Sequence, residues 1–173
     1  MTWILTASGK TLDFLNPVPE QIDILDIAQG LSNECRFSGQ CKVFYSVAQH
    51  SVLASQVVQD QKYALEALLH DASEAYLKDI PKPLKELLPD YRAIEARLQA
   101  VIRRKFGLPE QESDAVKRVD LKLLATERRD LMPEHDADWE ILRGIQKLPQ
   151  PIRAVHAGIA QAQFVRRYLQ LTQ

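Results

Sequence analysis

The chain has 173 residues, enough for one domain of ordinary size spanning 1–173, and its composition, 46% hydrophobic and 26% charged, excludes disorder and fibrous repeats. A formal net charge of −1 disfavours a polyanion such as duplex DNA, so a nucleic-acid polymer is not the expected partner and any nucleotide ligand is expected to be small. The opening MTWILTASGK has no basic stretch followed by an apolar run, and nowhere do about 18 apolar residues run uninterrupted, which predicts a cytoplasmic protein without a membrane partner.

In chain order, two short apolar runs from Trp3 to Phe14 flank Ser8-Gly9-Lys10 in the way a β-hairpin turn does. Asn16-Pro17-Val18-Pro19 blocks regular structure. From Asp23 to Leu31, Ile24, Ile27, Ala28 and Leu31 recur at the spacing of one helix face. Ser32 to Tyr45 is irregular and polar, a long connection of the kind that carries function. It holds Cys35 and Cys41, which lie outside any CxxC pair and read as a reduced pair, with a bridge between them as the alternative.

Ser46 can cap a helix with Val47, His50, Val52, Leu53 and Val57 on its inner face, and Lys62 to Tyr76 reads as a second helix built on Ala64, Leu65, Leu68 and Leu69. Pro81 and Pro83 break the chain before Leu84 to Leu88. Pro89-Asp90 then opens a long amphipathic helix, Tyr91 to Phe106, that Gly107 closes. Ser113 to Leu131, a short Asp138 to Gln146, and Pro151 to Leu171 with a stripe of Ile159, Ala162, Val165 and Leu169 complete the pattern. The fold class is all-α, a helical bundle with a small N-terminal β-hairpin. Arg103-Arg104, Arg128-Arg129 and Arg166-Arg167 read as solvated helix faces, and His135 and His156 lack a carboxylate partner at ligand spacing.

Chemistry concentrates on two of the four histidines. His50 and His70 fall on predominantly apolar helices, and Asp71 follows His70 directly in ALLHDASEAY. A buried carboxylate is rarely left unpaired, and a metal ion would satisfy it together with the imidazole. His50 can supply a ligand from the preceding helix, and Asp120, amid Val116, Val119, Leu121, Leu123 and Leu124, a fourth. Two imidazoles and two carboxylates suit one divalent transition metal such as Mn, Fe, Co, Ni or Zn rather than calcium. Glu74, three residues after Asp71 and four after His70, is a candidate acid/base; its alternative is a surface salt bridge.

The order His50, His70-Asp71, Asp120 resembles the HD-domain phosphohydrolase superfamily, and HDASEAYLKDIPKPLK, residues 70 to 85, is similar to the same stretch of bacterial 5'-deoxynucleotidases and phage dATP triphosphohydrolases. The resemblance spans roughly Cys35 to Asp130. It implies an HD-type helical fold, a single divalent metal on His50, His70, Asp71 and Asp120, and proton transfer by Glu74. It implies that Asp79 sits near the deoxyribose and belongs with Glu74 to the catalytic pair, although a helix cap before Ile80-Pro81 is an equal reading. It also implies that Arg36-Phe37 reaches the substrate phosphate and packs near sugar or base, with Phe37 standing where the deoxynucleotidases carry tryptophan. Lys78 departs from the small residue usual there.

Lys85, and Lys117 one turn before Asp120, are the cations expected near further phosphates; solvated helix charges are the alternative. The expected substrate is a 5'-deoxynucleoside monophosphate, with a deoxynucleoside triphosphate as alternative, where Mg could serve as the metal. A non-catalytic nucleotide-binding module is the rival of a different class, and the oligomeric state stays open between monomer and homo-oligomer.

Overall fold

The computed structural model describes all residues, 1–173. The chain opens with a hairpin, β1 (Trp3–Leu5) paired antiparallel with β2 (Thr11–Asp13) in the register Ile4 to Leu12, and Gly9 takes the positive φ its turn requires. Helix α1 (Ile24–Asn33) starts where Asp23 caps it by accepting from the Leu25 N–H. The hairpin is tied to α1 by Asp26, whose carboxylate accepts from the Ser8 N–H and Oγ, each at 2.7 Å.

Ser46 caps α2 (Val47–Val57) by accepting from the Gln49 N–H at 3.1 Å, and α2 is buried on nearly all sides. Then follow α3 (Ala64–Leu69), α4 (Glu74–Leu77), α5 (Lys82–Lys85), α6 (Pro89–Lys105), α7 (Asp114–Leu131, capped by Ser113) and α8 (Ala157–Thr172, capped by His156). Helix α2 lies at the centre, against α3, α7 and α8, while α1 packs on α8 and α4. Two apolar groups fill the interior. The larger joins Leu12, Ile27, Leu31, Leu68, Leu69, Leu98, Ile102 and Phe164, and the smaller joins Ala54, Ala67, Val116 and Leu123 between α2, α3 and α7. No helix is long and apolar enough to cross a membrane.

The structure departs from the sequence pattern in several places. The stretch Lys62 to Tyr76 is not one helix: a 3₁₀ turn over Gln61–Tyr63 leads into α3, and residues 70–73 are a turn before α4. Pro83 does not break the chain but sits in the first turn of α5, where its missing donor is no loss, and Asp138 to Gln146 holds a single 3₁₀ turn, Glu140–Leu142. Residues 151–156 are not helical, and Arg129 and Asp130 of α7 and Gln49 of α2 take up main-chain groups of Gln150, Ile152, Arg153 and Val155 instead. On α8 the buried residues are Ala160 and Phe164, with Ile159, Ala162 and Leu169 outside.

The arginine pairs are also not uniformly solvated. Arg103 is buried, with Nη2 2.7 Å from Glu66 Oε1 and 2.8 Å from the Gln111 carbonyl. Arg129 Nη1 donates to the Leu148 carbonyl at 2.7 Å, Arg128 stacks on Trp139, and Arg167 Nε donates to Ser55 Oγ at 2.8 Å. These side chains fasten loops and helix ends that offer carbonyls without partners; Arg104, Arg129 and Arg166 remain exposed.

The approach of α1 to α4 depends on Gly30. A Cβ at that position would lie 2.5 Å from the Ala75 carbonyl oxygen and 2.8 Å from the Ala75 Cα, contacts that backbone cannot yield cheaply. Gly30→Ala is therefore expected to destabilise by about 1–3 kcal/mol through overpacking, against a gain in helix propensity of about 1 kcal/mol. Thermal unfolding checks the sign; an unchanged or raised midpoint would show that α4 slides at no cost.

Candidate metal centre

Each element delivers one part of a cluster at the heart of the bundle. His50, on α2, is fully buried, and its Nδ1 lies 2.6 Å from Glu127 Oε1 on α7. His70, in the turn after α3, has Nδ1 2.8 Å from the Ala67 carbonyl, an acceptor only, so that nitrogen carries the hydrogen. Both rings thereby turn Nε2 inward, and the two Nε2 atoms are 3.2 Å apart. Two neutral imidazoles so arranged point lone pairs at one another. Only a shared proton or a cation makes that placement favourable.

Asp120, from α7, brings Oδ1 to 3.3 Å from His50 Nε2 and 4.0 Å from His70 Nε2. One ligand atom from each of His50, His70 and Asp120 lies within 4.8 Å of the others, a group that could hold a metal ion. Asp71 borders this group: its Oδ2 is 3.2 Å from His70 Nε2 and 3.6 Å from His50 Nε2, and it also faces Arg36 Nη1 at 3.4 Å. Ligands about 2.1 Å from a common ion stand about 3.0 Å apart at right angles and about 3.4 Å apart in a tetrahedron, so the separations fit. The donor set, two imidazole nitrogens with carboxylate oxygens, also suits a borderline divalent cation.

Glu127 was not read from the sequence. It is completely buried and binds three groups: His50 Nδ1, the Tyr45 hydroxyl at 3.0 Å and Arg36 Nη2 at 3.2 Å. A carboxylate behind a ligating histidine fixes its tautomer and raises its basicity. The signal was available, because Glu127 lies seven residues after Asp120 and so on the same face of α7, two turns on. Tyr45, at the end of a stretch whose sequence is irregular and polar, is also fully buried.

The charges reinforce one another. Burial opposes ionisation of Asp71 and Asp120, but the imidazoles beside them hold both carboxyls below the usual range. Burial likewise opposes the charge on His70, yet Asp71 outweighs it and raises the imidazole to about 10. Burial drives Glu74 the other way: it is pushed well above the ordinary carboxylate value, helped by Asp71 and Asp79. Lys85 does not reverse this, since its Nζ is 2.6 Å from Glu95 and only 3.7 Å from Glu74. Glu74 Oε2 is buried without a hydrogen-bond partner.

The His70 shift has a consequence for stability. A group raised from 6.5 to about 10 by folding stabilises the protein fully below 6.5, and that contribution is lost as the pH rises through 10. With chelator present, the melting midpoint is expected to fall across that interval, while metal affinity, which needs neutral imidazole, rises. Melts and metal titrations at stepped pH check both. A midpoint that climbs with pH would contradict the placement of Asp71 beside His70.

The remaining expected site residues divide. His70, Asp71, Glu74 and Lys85 line a cleft of about 580 Å³, with Arg92 and Glu95 on its far wall. Arg36 is buried, its guanidinium held by Asp71 and Glu127 and lying 5.4 Å from the Phe37 ring centre, so its bonds go first to the cluster's own carboxylates. Phe37 and Ser38 adopt left-handed backbone, φ 56° and 52°, a strained pair fixed in part by the Phe37 N–H donating to Asp79 Oδ2 at 3.3 Å. Asp79 does not cap α5, whose N-cap is Pro81; it lines a second cleft with Glu34, Cys35 and Lys78, and burial raises its pKa. Lys117 is not brought to the cluster, because its ammonium is exposed and sits 3.4 Å from Asp114 one turn back. Both cysteines are free thiols.

The chain is 48% identical over 174 residues to the uncharacterized protein YfdR of Escherichia coli (strain K12), covering 100% of this chain and 97% of that one. It is 39% identical over 116 residues to an uncharacterized protein of Rhodobacter capsulatus, covering 62% of this chain and 59% of that one. No protein-family model matches the chain.

Proposed function

The chain belongs to the family of Escherichia coli YfdR, and we propose that it is a metal-dependent phosphohydrolase of the HD-domain type that converts 5'-deoxynucleoside monophosphates to deoxynucleoside and phosphate. The observation that carries this reading is the pair of Nε2 atoms 3.2 Å apart, each ring oriented from behind, with carboxylate oxygens of Asp71 and Asp120 3.2–4.0 Å from them and Glu74, its carboxyl pKa raised by burial, in the adjoining cleft. His50, His70, Asp71 and Asp120 would hold one ion of Mn, Fe, Co, Ni or Zn. A bound divalent ion would supply Lewis acidity toward a phosphoryl oxygen and lower the pKa of water at the site.

The chain's own groups do the rest. Glu74, whose burial favours the protonated form, stands in the cleft next to Asp71, where it can pass a proton to a leaving 5'-oxygen reaching that wall. Arg36 compensates Asp71 and Glu127, so the cluster can carry both carboxylates without excess negative charge facing a phosphate. Asp79, anchored through the Phe37 N–H, is a hydrogen-bonding group for a sugar hydroxyl. With Lys117 engaged by Asp114, the cations lining the cleft are Lys85 and Arg92, which favours a monophosphate over a triphosphate.

Product analysis with a panel of deoxy- and ribonucleotides, as mono- and triphosphates, in Mn, Co, Zn and Mg tests the reading. Orthophosphate and deoxynucleoside from the deoxymonophosphates is the expected result. Tripolyphosphate from a deoxynucleoside triphosphate would move the substrate to that class, and no turnover with any metal would favour a nucleotide-binding module.

A further inference from the structure

The apolar pattern of α3 and α4 is that of one helix, yet the helix stops at Leu69 and resumes at Glu74. Neither proline nor glycine occurs between Ala64 and Leu77, so the sequence there supplies no breaker. A continuous helix would bond the Ser73 N–H to the Leu69 carbonyl. Instead that N–H donates to Gln99 Oε1 at 3.2 Å, and Gln99 Nε2 donates to the Leu69 carbonyl at 3.1 Å and to the His70 carbonyl at 2.9 Å. The carboxamide of a residue on α6 is thus inserted into the ladder at one rung, beside a backbone that tightens there to i→i−3 bonds, Ala72 N–H to the Leu69 carbonyl at 3.2 Å and Glu74 N–H to the Asp71 carbonyl at 3.0 Å. It acts as a peptide group would, taking the donor from one side and returning a donor to the other.

The position of this break decides what the turn can present. In a regular helix adjacent side chains diverge by about 100° around the axis, so His70 and Asp71 would leave the backbone pointing apart. Here His70 Nε2 and Asp71 Oδ2 are 3.2 Å apart, and both face His50 Nε2. We infer that Gln99 is a positioning residue: its amide, wedged between Leu69 and Ser73, opens the helix so that two consecutive side chains converge on the metal centre. No other side chain of this length does the same. Glutamate offers no donor to the two carbonyls when ionised, methionine offers neither group, and asparagine is one methylene short.

This inference rests on the reading of the cluster as a metal centre, and the experiment separates the two. Gln99→Met and Gln99→Glu are compared with the native chain in Mn²⁺ titrations of metal-stripped protein, in melting with chelator, and in backbone hydrogen exchange at Ser73. Gln99→Met is expected to bind Mn²⁺ roughly ten- to a hundredfold more weakly, as loss of a group supporting a ligand does. Its melting midpoint is expected to hold, because the Ser73 N–H can then close onto Leu69; a merely structural role would lower stability and leave affinity in the folded fraction alone. Gln99→Glu is expected to weaken binding similarly, and it serves alone should the methionine variant fail to fold. Mn²⁺ affinities within twofold of native in the folded variants would overturn the inference. If the native chain itself binds no Mn²⁺, the metal reading falls, and the wedge is then judged by the structure of Gln99→Met: a regular helix across residues 69–73 upholds it, and an unchanged break refutes it.

Discussion

Glu127→Ala is expected to lower the melting midpoint by on the order of 10 °C and to weaken metal binding at least tenfold. The thermal figure follows from leaving a buried charge without its partner, which costs about 3–5 kcal/mol, at about 2–4 °C per kcal/mol for a chain of this size. Arg36 would keep only Asp71 at 3.4 Å, and the Tyr45 hydroxyl and His50 Nδ1 would lose their acceptor inside a closed interior. The affinity loss follows from His50, which would no longer be held in the tautomer that frees Nε2. Glu127→Gln separates the two effects. It preserves volume and an acceptor but removes the charge opposite Arg36, so a smaller fall in midpoint with a persistent loss of affinity is expected. Calorimetry and metal titration read both, and a midpoint within about 2 °C of native in the alanine variant would deny Glu127 this role.

Glu74→Gln is expected to reduce phosphate release by about 10²- to 10⁴-fold, the usual contribution of a general acid or base, while metal content stays at the native level. Because burial and the nearby Asp71 and Asp79 push the Glu74 carboxyl toward its protonated form, glutamine is close in shape and charge to the group it replaces. Stability should therefore change little, which makes the variant a clean probe. If Glu74 donates its proton, native activity falls as pH rises through its raised pKa, and that limb of the pH profile disappears in the variant. Turnover within fivefold of native, with the limb intact, would reassign the proton transfer to another group.

Much of the architecture could be read from periodicity because three of the main helices carry their own start signals: Asp23, Ser46 and Ser113 each accept from a first-turn N–H. His50, His70 and Asp120 drew notice because titratable groups on apolar helices demand a partner, and the structure brings their ligand atoms together. What escaped depends on distant groups. The break at His70 is made by Gln99 from α6, and nothing in residues 62–76 announces it. The irregular run 151–156 is held by side chains of α2 and α7, not by local preference. Arg103 reads as a surface charge beside Arg104 until Glu66 meets it in the interior. Lys117 illustrates the reverse limit, since helix spacing places it one turn from Asp120 but cannot show that Asp114, a turn earlier, takes its ammonium.

Metal-dependent hydrolysis at the His50, His70, Asp71 and Asp120 cluster is the central proposal. The most direct measurement strips the chain with chelator, adds back Mn²⁺ in steps, and follows bound metal and phosphate released from a deoxynucleoside monophosphate in the native chain and in Asp120→Ala. The predicted result is one ion per native chain, with release rising in proportion to occupancy, and neither tight binding nor release in the variant. Release that survives chelation, or that Asp120→Ala retains in full with its metal, would contradict it.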